Sequence, residues 1–186
     1  MKNAFLFLSL LNGVNLFAQT GGRYLTQAGQ ATIFSHTTAE DISATNNTVT
    51  GVINPATGEV AVVVPVQSFQ FEKALMQEHF NSPHFMDSKQ FPRITWKGKI
   101  SNLSAIDFHK DGKYQATVTG QLSIKGVTHP LDAPATIEVN QGKVTVHTKF
   151  VVHDIGSFGI GKPKGSKKNN VADDIQVNYQ ADYQLQ

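Results

Sequence analysis

Long runs of strict alternation constrain this chain more than any other feature. Tyr114, Ala116, Val118, Gly120, Leu122 and Ile124 fall on one face of a period-2 pattern, with Gln115, Thr117, Thr119, Gln121 and Ser123 on the other. Val144, Val146, Thr148, Phe150 and Val152 repeat the arrangement, and Ile175, Val177, Tyr179, Ala181, Tyr183 and Leu185 do so again. Successive side chains of a strand point to opposite faces, so each run has one buried and one wet side. Antiparallel sheets tolerate such half-wet strands; all-parallel sheets, covered on both faces, seldom do.

Further strands fill the gaps. Tyr24 to Thr37 carries Ile33 and Phe34. Val49 to Ile53 and Glu59 to Val66 flank the turn Asn54-Pro55-Ala56-Thr57-Gly58, which predicts a hairpin. Ile94 to Ile100 carries Trp96, and Leu131 to Val139 is interrupted by Pro134, which predicts an edge or a bulge. Asn140-Gln141-Gly142 turns tightly into the Val144 strand. Eight or nine strands on short connections fit one barrel or sandwich, and 186 residues fit one domain.

One stretch breaks the alternation. From Phe71 to Phe80, Phe71, Leu75 and His79 follow one another at helical spacing, with Met76 and Phe80 beside them. Asn81-Ser82-Pro83 stops the helix, because a residue before proline avoids helical geometry. A lone amphipathic helix in such a chain must lie on a sheet face or plug a barrel end. Asp87 is expected to fix the following turn by accepting bonds from nearby backbone N–H groups.

The first 18 residues read as a secretory signal peptide: Lys2, an apolar stretch from Ala4 to Leu16, and a small residue, Ala18, at the cut. The expected domain is then 19–186, in a periplasmic or secreted protein. The apolar stretch is too short for a transmembrane helix, and no other segment qualifies. The chain has no cysteine, so an exported form must rely on its core rather than on disulfides. A net charge of +2 without a basic stripe does not mark a nucleic-acid binder.

Catalytic and metal chemistry find little support. No G-x-S-x-G or H-E-x-x-H motif occurs, and His153 and Asp154, adjacent on a strand, point to opposite faces. The seven histidines, His36, His79, His84, His109, His129, His147 and His153, show no ligand spacing. The expectation is a protein without enzymatic activity, metal or cofactor. A lysine-rich run, Lys162 to Lys168, reads as a solvated loop or as a contact for an anionic headgroup.

Two motifs resemble the YceI-like family of secreted lipid-binding proteins. HFNSPHFMDSKQFPRITW, from His79 to Trp96, is similar to the family's helix end, its phenylalanine- and aspartate-containing turn and its aromatic-proline step into a strand. GQLSIKGVTHPL, from Gly120 to Leu131, is similar to a family hairpin. FVVHDIGSFGIG, from Phe150 to Gly161, matches more weakly a strand that bends into a glycine-containing loop. The chain departs from the family at His153-Asp154-Ile155, at Phe34-Ser35-His36 and in the basic Lys162–Lys168 run. The ligand's identity is therefore not carried over.

The resemblance implies an all-β fold: a single eight-stranded antiparallel lipocalin-like barrel, one short helix capping an end, and a pocket for an isoprenoid or quinone lipid. The protein would transport, store or sequester that lipid; a homodimer is left open. On this frame the ligand-binding residues are Phe34, Phe71, Leu75, Phe80, Phe85, Phe91, Trp96, Ala116, Val118, Leu122, Phe150 and Phe158. The inward faces hold Ala116, Gly120, Thr148 and Ala181, whose small side chains either leave room for a ligand or complement bulky neighbours in a solid core. If the core is solid, the protein is a stress-response or interaction module that binds a partner through its basic loop.

Overall fold

The computed structural model describes residues 22–37, 40–161 and 172–186. The expected leader 1–18 and the basic run Lys162–Lys168 lie outside the described residues. Among the described residues ten strands form one sheet: β1 (Tyr24–His36), β2 (Asp41–Ile53), β3 (Glu59–Pro65), β4 (Gln70–Phe71), β5 (Arg93–Ile100), β6 (Gly112–Ile124), β7 (Val127–Pro130), β8 (Ala133–Asn140), β9 (Lys143–Val152) and β10 (Ile175–Leu185). Every pairing is antiparallel. The order β1-β10-β9-β8-β6-β5-β3-β2 returns to β1, so eight strands close a barrel, while β4 and β7 extend the edges of β2 and β6.

Turn chemistry sets the register. Gly58, at φ 74°, closes the β2–β3 hairpin, where Asn54 Oδ1 accepts from the amides of Ala56 and Thr57. Lys125 and Gly126 turn β6 into β7, and Gln141 and Gly142 turn β8 into β9, all four at positive φ. Two consecutive left-handed residues give the tight turn whose twist suits a two-residue hairpin.

Two local expectations are corrected and one is met. The helix α1 covers Ala74–Asn81, and Phe71 instead sits on β4, paired with Ala44. Pro134 lies where β8 begins as an edge, paired with Thr117 of β6 alone, before β8 runs between β6 and β9. It precedes the first β8–β9 pair, Ala135 with Thr148, and its carbonyl accepts from Thr148 Oγ1 at 2.6 Å, so its missing N–H breaks no rung. Asp87 shapes its turn through the backbone: φ is 46°, and the amides of Gln90 and Phe91 donate to its main-chain carbonyl. Aspartate tolerates this left-handed geometry better than most residues.

β2 also begins eight residues earlier than the apolar pattern indicates. Its polar first half is held by pairing with β1 and by Asn46, which is buried and donates to the Pro65 carbonyl at 2.8 Å.

The barrel interior divides into two apolar clusters. Near the starts of β1, β6 and β9, Tyr24 stacks on Phe108 at 5.5 Å, and Val139, Val144, Ile106, Ala116, Ala181 and Tyr183 pack with them. Toward the opposite end, Phe69, Phe80, Met86, Leu122, Ile124, Ile155 and Phe158 form the second. No helix among the described residues is long and apolar enough to cross a membrane.

Candidate ligand cavity

The first end is filled by side chains; the second opens into a cavity of about 1180 Å³ that extends down the barrel. Its walls come from all eight barrel strands and are mostly hydrocarbon. Val60, Val62 and Val64 supply one stripe, Ile33 and Ala31 a second, Ala133, Ala135 and Ile137 a third, and Val177 and Ile175 a fourth. Apolar walls of this kind offer water few hydrogen-bond partners. Protein interiors hold few voids larger than a water molecule, so a space this large departs from ordinary packing.

The mouth is built from α1 and the segments around it. Phe80 anchors an aromatic chain, with ring centroids 5.5 Å from Phe69, 4.9 Å from Phe71 and 5.9 Å from Phe85. On the far rim β9 ends at Val152, Asp154 turns the chain in a left-handed conformation, and a single 3-10 turn, Ile155–Phe158, carries it inward. Lys125 ties the two rims together: its ammonium donates to the carbonyls of Phe85 at 2.6 Å and Gly159 at 3.0 Å. Lys73, at the N-terminus of α1, pairs with Glu40 in the β1–β2 connection. That bond holds the Lys73 ammonium above its ordinary pKa. His79 and His84 also reach the rim, both exposed.

Nine of the twelve expected ligand residues line the cavity: Phe34, Phe71, Leu75, Phe80, Phe85, Trp96, Val118, Leu122 and Phe150. Three stand off its wall. Ala116 is buried in the filled cluster, Phe158 packs edge-on against the His129 ring at 4.6 Å, and Phe91 lies against the β6–β7 turn, beside Gly126. Residues that do line the wall but carried no clear signal include Ala31, Ala133, Ala135 and the β3 valines. β3 is apolar on both faces, so alternation could not tell its inner stripe from its outer one.

Small inward residues do not mark the open space as expected. Of Ala116, Gly120, Thr148 and Ala181, only Thr148 lines the cavity. A Cβ on Gly120 would lie 2.4 Å from Trp96 Cζ2, and one on Gly98 would lie 2.5 Å from Cη2. The two glycines are a seat for the indole, whose Nε1 donates to the Leu131 carbonyl at 3.1 Å. Ala181 is taken up in the same way against Gly29 of β1.

Outside the cavity, His153 meets Asp174 across 2.9 Å at the surface, and this bond keeps the Asp174 carboxyl below its usual range. Among the described residues, no three His, Asp or Glu side chains converge as a metal site would need.

The chain matches the model of the YceI-like domain over residues 24–183. It is 29% identical over 89 residues to a UPF0312 protein of Enterobacter sp. (strain 638), a match covering 48% of this chain and 42% of that protein's own length. Three solved structures share the fold. A polyisoprenoid binding domain from Saccharophagus degradans, implicated in plant cell wall breakdown, superposes with a TM-score of 0.74 at 11% identity, covering 88% of this chain and 98% of that one. Burkholderia cenocepacia BcnA gives 0.68 at 18% identity, covering 83% and 95%. The Campylobacter jejuni YCEI protein gives 0.63 at 19% identity, covering 81% and 88%.

Proposed function

The chain belongs to the YceI-like family, and from that membership and the cavity we propose that it binds a long, slender lipid of isoprenoid or quinone type inside the barrel. The observation that carries the reading is the continuous hydrocarbon wall around about 1180 Å³. A lipid tail moved from water into such a space gains about 0.8 kcal/mol per buried CH₂. Drug-sized ligands occupy pockets of roughly 300–1,000 Å³, so this space suits a larger, flexible molecule. The polyisoprenoid binding domain of Saccharophagus degradans, similar in fold, adds to the case for an isoprenoid.

The protein acts as a carrier or store and not as an enzyme, in the periplasm or outside the cell, where the leader-like first 18 residues would send it. The nine expected residues on the wall, Phe34 through Phe150, form the contact surface, with Phe71, Leu75, Phe80 and Phe85 at its mouth. A barrel working only as an interaction module would have a solid interior, and the cavity counts against that reading.

The test is extraction of the purified protein with organic solvent, followed by mass spectrometry, and titration of the stripped protein with a polyprenyl lipid. A copurifying apolar lipid and saturable one-to-one uptake are expected. A clean extract from several preparations together with no uptake would end the proposal.

A further inference from the structure

At the floor of the cavity sit two phenols. Tyr179 and Tyr183 both contribute to its lining, are 7% and 1% exposed, and bring their hydroxyl oxygens within 2.8 Å of each other. Around them the lining is Ile53, Ile100, Ile137 and Val146, with no charged group. The rings fit because β1 and β2 carry glycines opposite them. A Cβ on Gly51 would come within 2.4 Å of Tyr183 Oη, and one on Gly29 within 3.2 Å of Tyr179 Oη.

Two hydroxyls carry two protons, and the bond between them uses one. Neither oxygen has another hydrogen-bond partner among the described residues, so one O–H donor is left over. A buried donor without an acceptor is costly, which is why such groups in folded proteins are nearly always met by protein, ligand or water. Burial pushes both phenols well above their ordinary pKa, Tyr183 to about 12, so the pair stays neutral and keeps both protons at any physiological pH.

We propose that the Tyr179–Tyr183 pair is a polar subsite at the blind end of the cavity, which donates one hydrogen bond to a neutral oxygen on the deepest end of the bound lipid. The ligand class this selects is a lipid ending in a carbonyl, ether or alcohol. Among the described residues no cation lies at the floor to compensate a phosphate or carboxylate, and an ionised group there would carry a heavy desolvation cost. Such a lipid enters oxygen-first, and its hydrocarbon trails toward α1. This rests on the lipid-binding reading and adds the orientation and head chemistry.

The experiment compares two probes matched in length that differ in an acceptor: geranylgeranyl methyl ether and the hydrocarbon in which a CH₂ replaces its ether oxygen, each titrated into stripped protein. In the unaltered protein the ether is expected to bind about 3- to 10-fold more tightly, the worth of one net hydrogen bond. The double variant Tyr179→Phe/Tyr183→Phe, with its fold checked by circular dichroism, is expected to bind the two equally by losing affinity for the ether alone. Each single variant keeps one free hydroxyl and retains a preference. Equal binding in the unaltered protein assigns the spare proton to trapped water and overturns the proposal, as does a preference that survives in the double variant. If neither probe binds, the lipid-binding reading itself falls.

Discussion

The two ends of this barrel use the same inward alternation to opposite effect. At the end where β1 and β9 begin, side chains fill the interior: Tyr24 stacks on Phe108, Val139 and Val144 pair on adjacent strands, and Tyr183 lies against the β2 backbone at Gly51. At the other end the inward residues stop short of one another, and α1, the aromatic chain and the Ile155–Phe158 turn form a rim around open space. The lesson is that closure of an eight-stranded sheet does not by itself make a pocket. An interior of this width is either filled or hollow, and what sits beyond the strands at each end decides which.

The difference can be broken by experiment. The largest effect belongs to the filled end: Phe108→Ala should cost about 3–5 kcal/mol, the usual loss for a buried phenylalanine. Phe85→Ala at the half-buried rim should cost less than half as much, read as urea midpoints at unchanged slope. Equal costs would mean that the rim is packed as tightly as the floor.

Inserting bulk should separate the ends more sharply. Ala116→Trp forces an indole into the filled cluster and should cost about 1–3 kcal/mol through overpacking. Val62→Trp points into the cavity and should leave stability within about 1 kcal/mol while lowering lipid uptake at least tenfold. Uptake unchanged in Val62→Trp would place the ligand elsewhere.

A pH series probes the buried tyrosines at the filled end and the cavity floor. Tyr24, Tyr179 and Tyr183 all have folded pKa values raised by burial, Tyr183 to about 12, against about 10 in the unfolded chain. The unfolded state therefore loses these protons first, so the native state binds more protons between pH 10 and 12 and stability falls as pH rises through that window. Below pH 10 the contribution is fully present. The Tyr179→Phe/Tyr183→Phe variant should show a shallower alkaline decline in chemical-denaturation midpoints; an identical decline would assign it to other groups.

The smallest effect is expected at the rim. Glu40→Gln removes the partner of Lys73 in a pair open to solvent, and exposed pairs contribute little. No change in the midpoint is expected, and a clear loss would mean that this bridge helps to hold the mouth.

Much of the fold was legible before any coordinates. The runs through Val118, Val146 and Tyr179 became β6, β9 and β10, and the Asn54–Gly58 and Asn140–Gly142 turns fell where they were expected. The first half of β2 was not legible, because a polar run such as Thr45 to Thr48 has no periodic signal; its partners on the preceding strand β1 and on β4 hold it extended. Phe71 has helical spacing to Leu75 but is captured by β4, since a pairing with Ala44 outweighs one more turn of a short helix.

For the site, the aromatic rim was readable because it breaks the period of the strands around it. The wall was readable only in part. Local order along the chain determined which side chains point inward, because a strand has just two faces. Whether an inward residue meets a neighbour or empty space was decided by the tertiary structure. Gly120 is covered by Trp96 from the adjacent strand and Ala181 lies opposite Gly29 on β1, while Ala133 and Ala135 line the cavity. Empty volume belongs to the gaps between strands distant in sequence, so no pattern within one strand can encode it.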